Sequence, residues 1–444
     1  MSNLAGVNVL VDGYNLQLSQ GTGIKTYGIS LVRSLKDLGA EVNVLYGRNI
    51  PKLKDASLEE VLFFDVHEGP HRYLDGSYLK RSARLMLDVG RTLSHQSFTA
   101  RPIDVGHVVI RGSVRGSFMA SITNLLDITG TYNLPGCYRT ASALFRLGLA
   151  MGVTLPKKVD IFHATYTLPM TVPGAKKITT IHDLIPLRLP YTTLDNKRLF
   201  YKIVKRCLKD SALVVTVSEH SKRDMVDLFD IHPDKIQVTY QPIALEPLDK
   251  TPEEIQRYIK RFRIEHKNYI LFVGAIEPKK NLGRLIDAYA RLETDTQFVI
   301  VGKRGWLWEN EIGAIDTIFG VDVAKEKFRI LDYVTTEDLR HLYAGATCLA
   351  FPSLYEGFGL PPLEAMSFGC PVITSNVSSL PEVCGEAALY VDPYSVSDIE
   401  QKLSQLLGDE ALQKDLAKAG RKNAERFSLE RYNERLQQAY QLVL

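Results

Sequence analysis

Two glutamates, Glu356 and Glu364, stand eight positions apart in "LYEGFGLPPLEAMSFGCPV". Paired carboxylates suit hydrolysis, ligation of a metal, or recognition of hydroxyl groups. Between them the backbone is permissive at Gly357 and Gly359 and stiff at Pro361 and Pro362. In "FVGAIEPKKNLGRLIDAYARL", Lys279 and Lys280 follow an apolar run ending at Gly274, and Asn281 is placed to cap the next helix. Free amides at a helix start beside two ammonium groups form a site for phosphate or diphosphate. The plainer alternative is a surface loop that its lysines merely solvate. His182 and Asp183 come directly after "KKITTI". There an imidazole can bond a hydroxyl or a developing charge, or simply satisfy backbone near Pro186. In "GTGIKTYG", Thr26 occupies the last position of a G-x-G-x-x-G pattern, and no well-placed acid supports nicotinamide binding. Gly23, nearest the helix start, is the residue of that loop expected to meet a ligand.

These groups need elements to aim them. Short β-branched runs ("VNVLVDG", "AEVNVLYG", "DIFHAT", "ALVVTVSEH") alternate with segments of helical period, the rhythm of a parallel sheet covered on both faces. The rhythm breaks at the charged "EPLDKTPEEIQRYIKRFRIEHKN" and restarts at "YILFVGAI". The fold class is therefore α/β, with two Rossmann-like doubly wound domains facing each other across a cleft. The expected division is residues 1–241, a linker at 242–266, a second domain at 267–426, and a C-terminal helix at 427–444 packing back on the first domain. "CLAFPS" reads as a strand, "LYEGFGLP" as a loop and "PLEAMSFG" as a helix with proline in its opening turn. Glu356 then lies in the loop and Glu364 in the first turns of the helix, where the dipole alone would also favour a carboxylate.

At 444 residues the chain is too long for one ordinary core, and 45% hydrophobic with 24% charged residues is globular. A net charge of +3 is too mild to argue for nucleic acid. Five scattered cysteines without a CxxC pair indicate neither zinc nor a disulfide framework, and a reducing cytoplasm fits them. The N-terminus lacks the pattern of a signal peptide, and no window has the roughly 18 uninterrupted apolar residues of a membrane span. Residues 71–150 carry ten Arg or Lys against four Asp among many apolar side chains. Such a stretch suits contact with an anionic membrane, or is a solvated helical insertion.

"FPSLYEGFGLPPLEAMSFGCPVITSNVSSLPEVCGEAALYVDP" closely resembles the E-x7-E region of glycosyltransferase family 4, retaining enzymes of the GT-B fold. "FVGAIEPKKNL", "VGKRGW", "LDYVTTEDLRHLYAGA", "TIHDLIP" and "VSEHSKRDM" match that family in the same order, over roughly residues 160–395. The resemblance implies that Glu364 accepts hydrogen bonds from ribose hydroxyls of a sugar nucleotide. It implies that Glu356 holds the donor sugar, with the Gly359 and Leu360 amides near sugar and phosphate. Lys280, helped by Lys279, would neutralise the leaving diphosphate, His182 would contact the sugar near the reacting carbon, and backbone around Val334 would touch the base. Many relatives carry arginine where this chain has Ala275, which shifts the diphosphate clamp onto the two lysines. The resemblance also implies no cofactor and no metal beyond the donor, in keeping with the lack of a suitably placed DxD motif. The implied partners are a sugar nucleotide and a glycan or lipid-linked glycan acceptor; with the cysteine usage and the stretch at 71–150, the expected place is the cytoplasm, with the inner face of the membrane as its further option. "EPKKN" and "KRGW" look like bacterial mannosyltransferases of surface polysaccharides, which makes GDP-mannose the first donor to test, with UDP- and dTDP-sugars open. A glycoside hydrolase using the two glutamates leaves the lysine loop unexplained, and a non-catalytic sugar-nucleotide binder is the other alternative.

Overall fold

A computed structural model of the chain describes residues 4–17, 23–65, 78–94, 96–106 and 128–444. Much of the basic stretch at 71–150, including 71–77 and 107–127, lies outside them.

The N-terminal sheet has eight strands, in the order Ile236–Val238, Leu213–Thr216, Lys176–Thr180, Ile161–Ala164, Asn8–Asp12, Glu41–Tyr46, Gly130–Asn133 and Arg101–Ile103. Every pairing is parallel except the last, at the edge. The C-terminal sheet has six parallel strands, in the order Phe328–Leu331, Gln297–Val301, Tyr269–Val273, Cys348–Phe351, Val372–Ser375 and Leu389–Val391. Its central strands are buried along nearly their whole length, as continuous apolar runs such as "YILFV" and "CLAF" require when helices cover both faces. In chain order this sheet reads third, second, first, fourth, fifth, sixth. Its topological switch point therefore lies between Tyr269–Val273 and Cys348–Phe351, where ligands bind beyond the carboxyl ends of strands. The lysine loop leaves one of those two strands and the glutamate loop leaves the other.

The connection between the domains is shorter than 242–266. Helix Pro252–Ile259, closed by a Thr251–Glu254 capping box, buries Ile255 and Ile259 in one core with Tyr269 and Leu342. Tyr258 stacks on His341 of helix Thr336–Gly345 at 3.6 Å. The residues after Thr251 thus pack with the C-terminal domain, because the charged-looking segment hides an apolar helical stripe.

Helix Leu429–Gln441 crosses to the N-terminal domain. There Tyr440 OH lies 2.7 Å from His163 Nδ1, and His163 Nε2 lies 2.8 Å from Thr180 Oγ1, which is also bonded to Tyr27 OH. Burial holds the His163 pKa down at about 3, so the imidazole in this chain is neutral. Tyr240, Phe358 and Phe427 meet edge to face or tilted and carry the apolar core from one domain to the other. No helix among the described residues is long and apolar enough to cross a membrane.

Candidate active site

The lysine loop is set by close backbone contact. A Cβ on Gly302 would lie 1.7 Å from the Gly274 carbonyl oxygen, so only glycine lets the two strand ends meet. Pro278–Lys280 forms a tight turn that ends at Asn281 in the left-handed conformation, φ 61°. This conformation turns the Asn281 side chain away from the amides of helix Leu282–Tyr289, and it does not cap them. Its amide instead donates to the carbonyls of Pro352 at 2.9 Å and Pro393 at 2.7 Å. Together with the Leu354 N–H bond to the Lys279 carbonyl (2.8 Å), this fastens the lysine loop to the glutamate loop.

The consequence is an ion pair. Lys280 Nζ lies 2.6 Å from Glu356 Oε1, with the side chains only 12% and 11% exposed. Lys280 also sits 4.9 Å over the Phe351 ring. Lys279 pairs with Glu277 at 3.2 Å. Burial opposes the Lys279 charge, but Glu277, Glu356 and Asp183 outweigh it and hold its pKa above the ordinary lysine value. The Glu356 loop is braced by Ser379, whose hydroxyl donates to the carbonyls of Glu356 (2.9 Å) and Phe358 (2.8 Å).

Glu364 lies in helix Leu360–Ser367, where its Oε2 accepts from Tyr343 OH at 2.9 Å. Burial pushes its pKa up to about 7, against the Tyr343 hydrogen bond. Pro361 and Pro362 have no N–H, and Gly359, with φ 112°, opens the helix. The Gly359 and Leu360 amides donate to no protein acceptor among the described residues and remain the available anion-binding donors of that turn.

His182 faces these groups from the N-terminal domain. Its Nε2 lies 3.0 Å from the Thr165 carbonyl, and Gln241 Nε2 approaches Nδ1 at 3.5 Å. Burial lowers the His182 pKa to about 4. A neutral ring that donates from Nε2 presents Nδ1 as an acceptor. Asp183 accepts from the Ile185 N–H at 3.0 Å, and burial raises its pKa while Lys279 opposes the rise. Ile24, beside Gly23 at the start of helix Gly23–Asp37, lines the same cavity as His182 and Lys279, while Gly23 itself is exposed. Val334 follows the edge strand Phe328–Leu331 and packs half-buried on the core.

Gly357 lies at the seam between the two domains. It presses on the other domain: a Cβ there would lie 2.7 Å from the His182 carbonyl oxygen and 2.8 Å from Asp183 Cβ. Its carbonyl accepts from Ser218 Oγ at 2.7 Å and Ser221 Oγ at 3.3 Å. Glu382 of the C-terminal domain caps helix Glu219–Phe229, accepting from the Glu219 and His220 amides at 2.7 and 3.0 Å. Tyr355 OH bonds His220 at 3.0 Å and also Asp224. Sequence reasoning missed these joints and Tyr343. Ser218, a serine before an acidic first turn, carried a capping signal, but the carboxylate that completes the cap is 164 positions away from it.

Residues 254–423 match the family Glycosyl transferases group 1, and residues 106–247 match Glycosyltransferase Family 4. The chain is 34% identical over 293 residues to the O-antigen chain mannosyltransferase B of Escherichia coli, covering 64% of this chain and 74% of that protein. It is 29% identical to the serotype-specific mannosyltransferase WbdA of Escherichia coli, covering 60% of this chain but only 33% of that longer protein. Among solved structures, sucrose-phosphate synthase from Thermosynechococcus elongatus superposes with a TM-score of 0.65 at 15% identity, over 98% of each chain. Anabaena HepE in complex with UDP and glucose gives 0.62 at 14% identity, over 98% of this chain and 99% of that one. At such identities the likeness is one of fold: both domains and their arrangement are GT-B.

Proposed function

The chain belongs to the family 4 glycosyltransferases, and from that premise we propose that it transfers mannose from GDP-mannose, with retention of configuration, to a glycan or lipid-linked glycan acceptor in surface-polysaccharide synthesis. The mannosyltransferase names of its relatives, two of them for O-antigen chains, support the sugar and the pathway class. The observation that carries the chemistry is the Lys280–Glu356 pair at the switch point of the C-terminal sheet.

In this reading the donor diphosphate takes Lys280 and Lys279 and the Gly359 and Leu360 amides, while Glu356 passes to the sugar hydroxyls and Glu364 to the ribose. The base lies along the backbone at Val334, and Gly23 closes the site from the N-terminal domain. As the bond from the sugar carbon to phosphate breaks, the diphosphate gains negative charge and the ring becomes oxocarbenium-like. Preorganised cations and amides stabilise the first change. The neutral His182, with Nδ1 as acceptor, favours the second and can hold a sugar hydroxyl. The acceptor oxygen bonds to the same carbon on the face the diphosphate leaves, and its proton passes to a phosphate oxygen. No side-chain nucleophile, metal or other cofactor takes part. Hydrolysis by the glutamate pair fits poorly, because it leaves the lysine loop, ion-paired with Glu356, without a role.

The reading extends to the cytoplasmic face of an anionic membrane. Support comes from helix Tyr78–Leu93, whose Met86, Leu87 and Leu93 are 75, 70 and 64% exposed near Arg91.

The test is a panel of sugar nucleotides with EDTA present. GDP-mannose at 100-fold its Kd should stabilise the fold by about 2.7 kcal/mol, and mannose transfer to extracted lipid-linked glycan should survive the chelator. Stabilisation by a UDP-sugar alone would reassign the donor. Loss of transfer with EDTA would overturn the metal-free reading, and sugar release from oligosaccharide without nucleotide would favour hydrolysis.

A further inference from the structure

Glu356 is gripped on both flanks by the opposite domain. Before it, Leu354 and Tyr355 pack with Ile185 and Leu189 in a small apolar cluster of their own. After it, the Gly357 carbonyl takes the Ser218 and Ser221 hydroxyls. The backbone of Glu356 itself stays with its own domain: its N–H donates to Ser378 Oγ at 3.0 Å, and its carbonyl accepts from Ser379. The carboxylate pairs with Lys280, the ammonium that the leaving diphosphate claims. Once that ammonium turns away, the flanks of the loop are what still aim the carboxylate.

The Tyr355 flank is also polar. Its hydroxyl donates to Asp224 of helix Glu219–Phe229, and a phenol has one proton to give. Its oxygen therefore accepts from His220, whose Nε2 lies 3.0 Å away. Burial and the Asp224 carboxylate raise the phenol well above its ordinary pKa, so it stays a donor. Asp224 is 4% exposed, and its other oxygen accepts from Arg188 Nε at 2.7 Å. Arg188 ends the short helix Ile185–Arg188, which opens just after His182 and Asp183. One buried carboxylate thus holds both the segment leading from His182 and the residue next to Glu356. Those are the two side chains placed at the donor sugar, one from each domain.

We propose that Tyr355 and Asp224 are positioning residues for the donor sugar: their bond sets the spacing between Glu356 and His182, so that the sugar is gripped only across the closed joint while the nucleoside diphosphate binds without it. The inference rests on the glycosyltransferase reading. Neither residue touches the donor. The nucleotide end takes Glu364, Lys279, Lys280 and the Gly359 and Leu360 amides, all from the C-terminal domain, whereas the sugar needs both domains. Losing the bond therefore separates recognition of the sugar from recognition of the nucleotide. A misplacement of about 1 Å at a reacting group is enough to slow the chemistry severely.

The experiment compares the Kd for GDP-mannose with the Kd for GDP, by calorimetry, in the native chain and in Tyr355→Phe. Phenylalanine keeps the ring against Ile185 and Leu189 and removes only the hydroxyl. The other joints remain: Glu382 on the Glu219 and His220 amides, Ser218 on Gly357, and Trp306 Nε1 donating to the Thr192 carbonyl at 2.9 Å. GDP-mannose should weaken about tenfold or more, the worth of a hydrogen bond to a charged group. The Kd for GDP should stay within twofold, and kcat should fall with the sugar affinity. Asp224→Asn should reproduce the sugar-specific loss, and the double variant should lose little more than either alone. Either variant carries the comparison by itself, with the melting transition as the check on folding. Equal weakening of both ligands, unchanged GDP-mannose affinity, or additive losses would overturn the proposal. Failure of the underlying reading would look different: the native chain would bind no sugar nucleotide in the donor panel. If the panel selects another donor, that sugar nucleotide and its nucleoside diphosphate take the places of GDP-mannose and GDP.

Discussion

Lys280 and Glu356 neutralise one another at 2.6 Å, so a diphosphate that claims the ammonium must also release the carboxylate toward the sugar. Lys280→Ala is accordingly expected to lower kcat by roughly 10²–10³-fold, while circular dichroism and the melting transition stay near native. Near-normal turnover would remove Lys280 from the reaction. Glu364 gives a pH signature. Burial raises its carboxyl from an ordinary value of 4.5 to about 7, and ribose hydroxyls need the ionised form as acceptor. In the free protein, the stabilising neutral form contributes fully below 4.5 and is lost as pH rises through about 7. Donor binding runs the other way: KM for the donor should climb toward roughly tenfold per unit as pH falls below that pKa, and Glu364→Gln should flatten the profile. A donor KM that is constant from pH 8 to 5.5 in the native enzyme would exclude the ribose role. These glutamates and lysines were legible because the carboxylate spacing and the glycine–proline loop are local. Asn281 was misread because its left-handed backbone is invisible in residue type, and that backbone decides which carbonyls its side chain reaches.

At the level of elements, the strand–loop–helix alternation was readable from apolar runs, and both chemical loops could be assigned to strand ends. The order of strands was not, because parallel pairing leaves no local trace in sequence. That order is what sets the lysine loop beside the glutamate loop. Gly357 shows the same limit: its partners, Ser218, Ser221 and the His182 backbone, lie in another domain. Gly357→Ala should force the two surfaces apart, since its Cβ would sit 2.7 Å from the His182 oxygen. Overpacking of this kind costs about 1–3 kcal/mol. The expected result is transfer reduced at least tenfold with a larger radius of gyration in small-angle scattering. An unchanged radius with full activity would show that the joint is not needed for closure.

Across the whole molecule, the C-terminal helix ties the domains together through Tyr440 and His163, and the apolar contact of Tyr240, Phe358 and Phe427 continues the core between them. The periodicity of "LERYNERLQQAYQLVL" announced a helix, but its buried phenols gained meaning only against His163 and Tyr27. Exposed Met86, Leu87 and Leu93 argue for docking at a membrane surface. The full chain should cosediment with anionic vesicles at low salt and be released by added salt over a Debye length of about 8–10 Å. Equal binding to neutral vesicles would assign the contact to apolar insertion alone, and no binding to either would dismiss it. The joints at Gly357, Glu382, Tyr355 and Trp306 have a consequence for timing. With the halves fastened directly to one another, a donor does not simply collide with its site. In the proposed reading it would arrive during an interval when those bonds have parted, and product would leave during another. In that reading the rhythm of parting would set the pace at which nucleotide enters and departs, however crowded the solution is with donor.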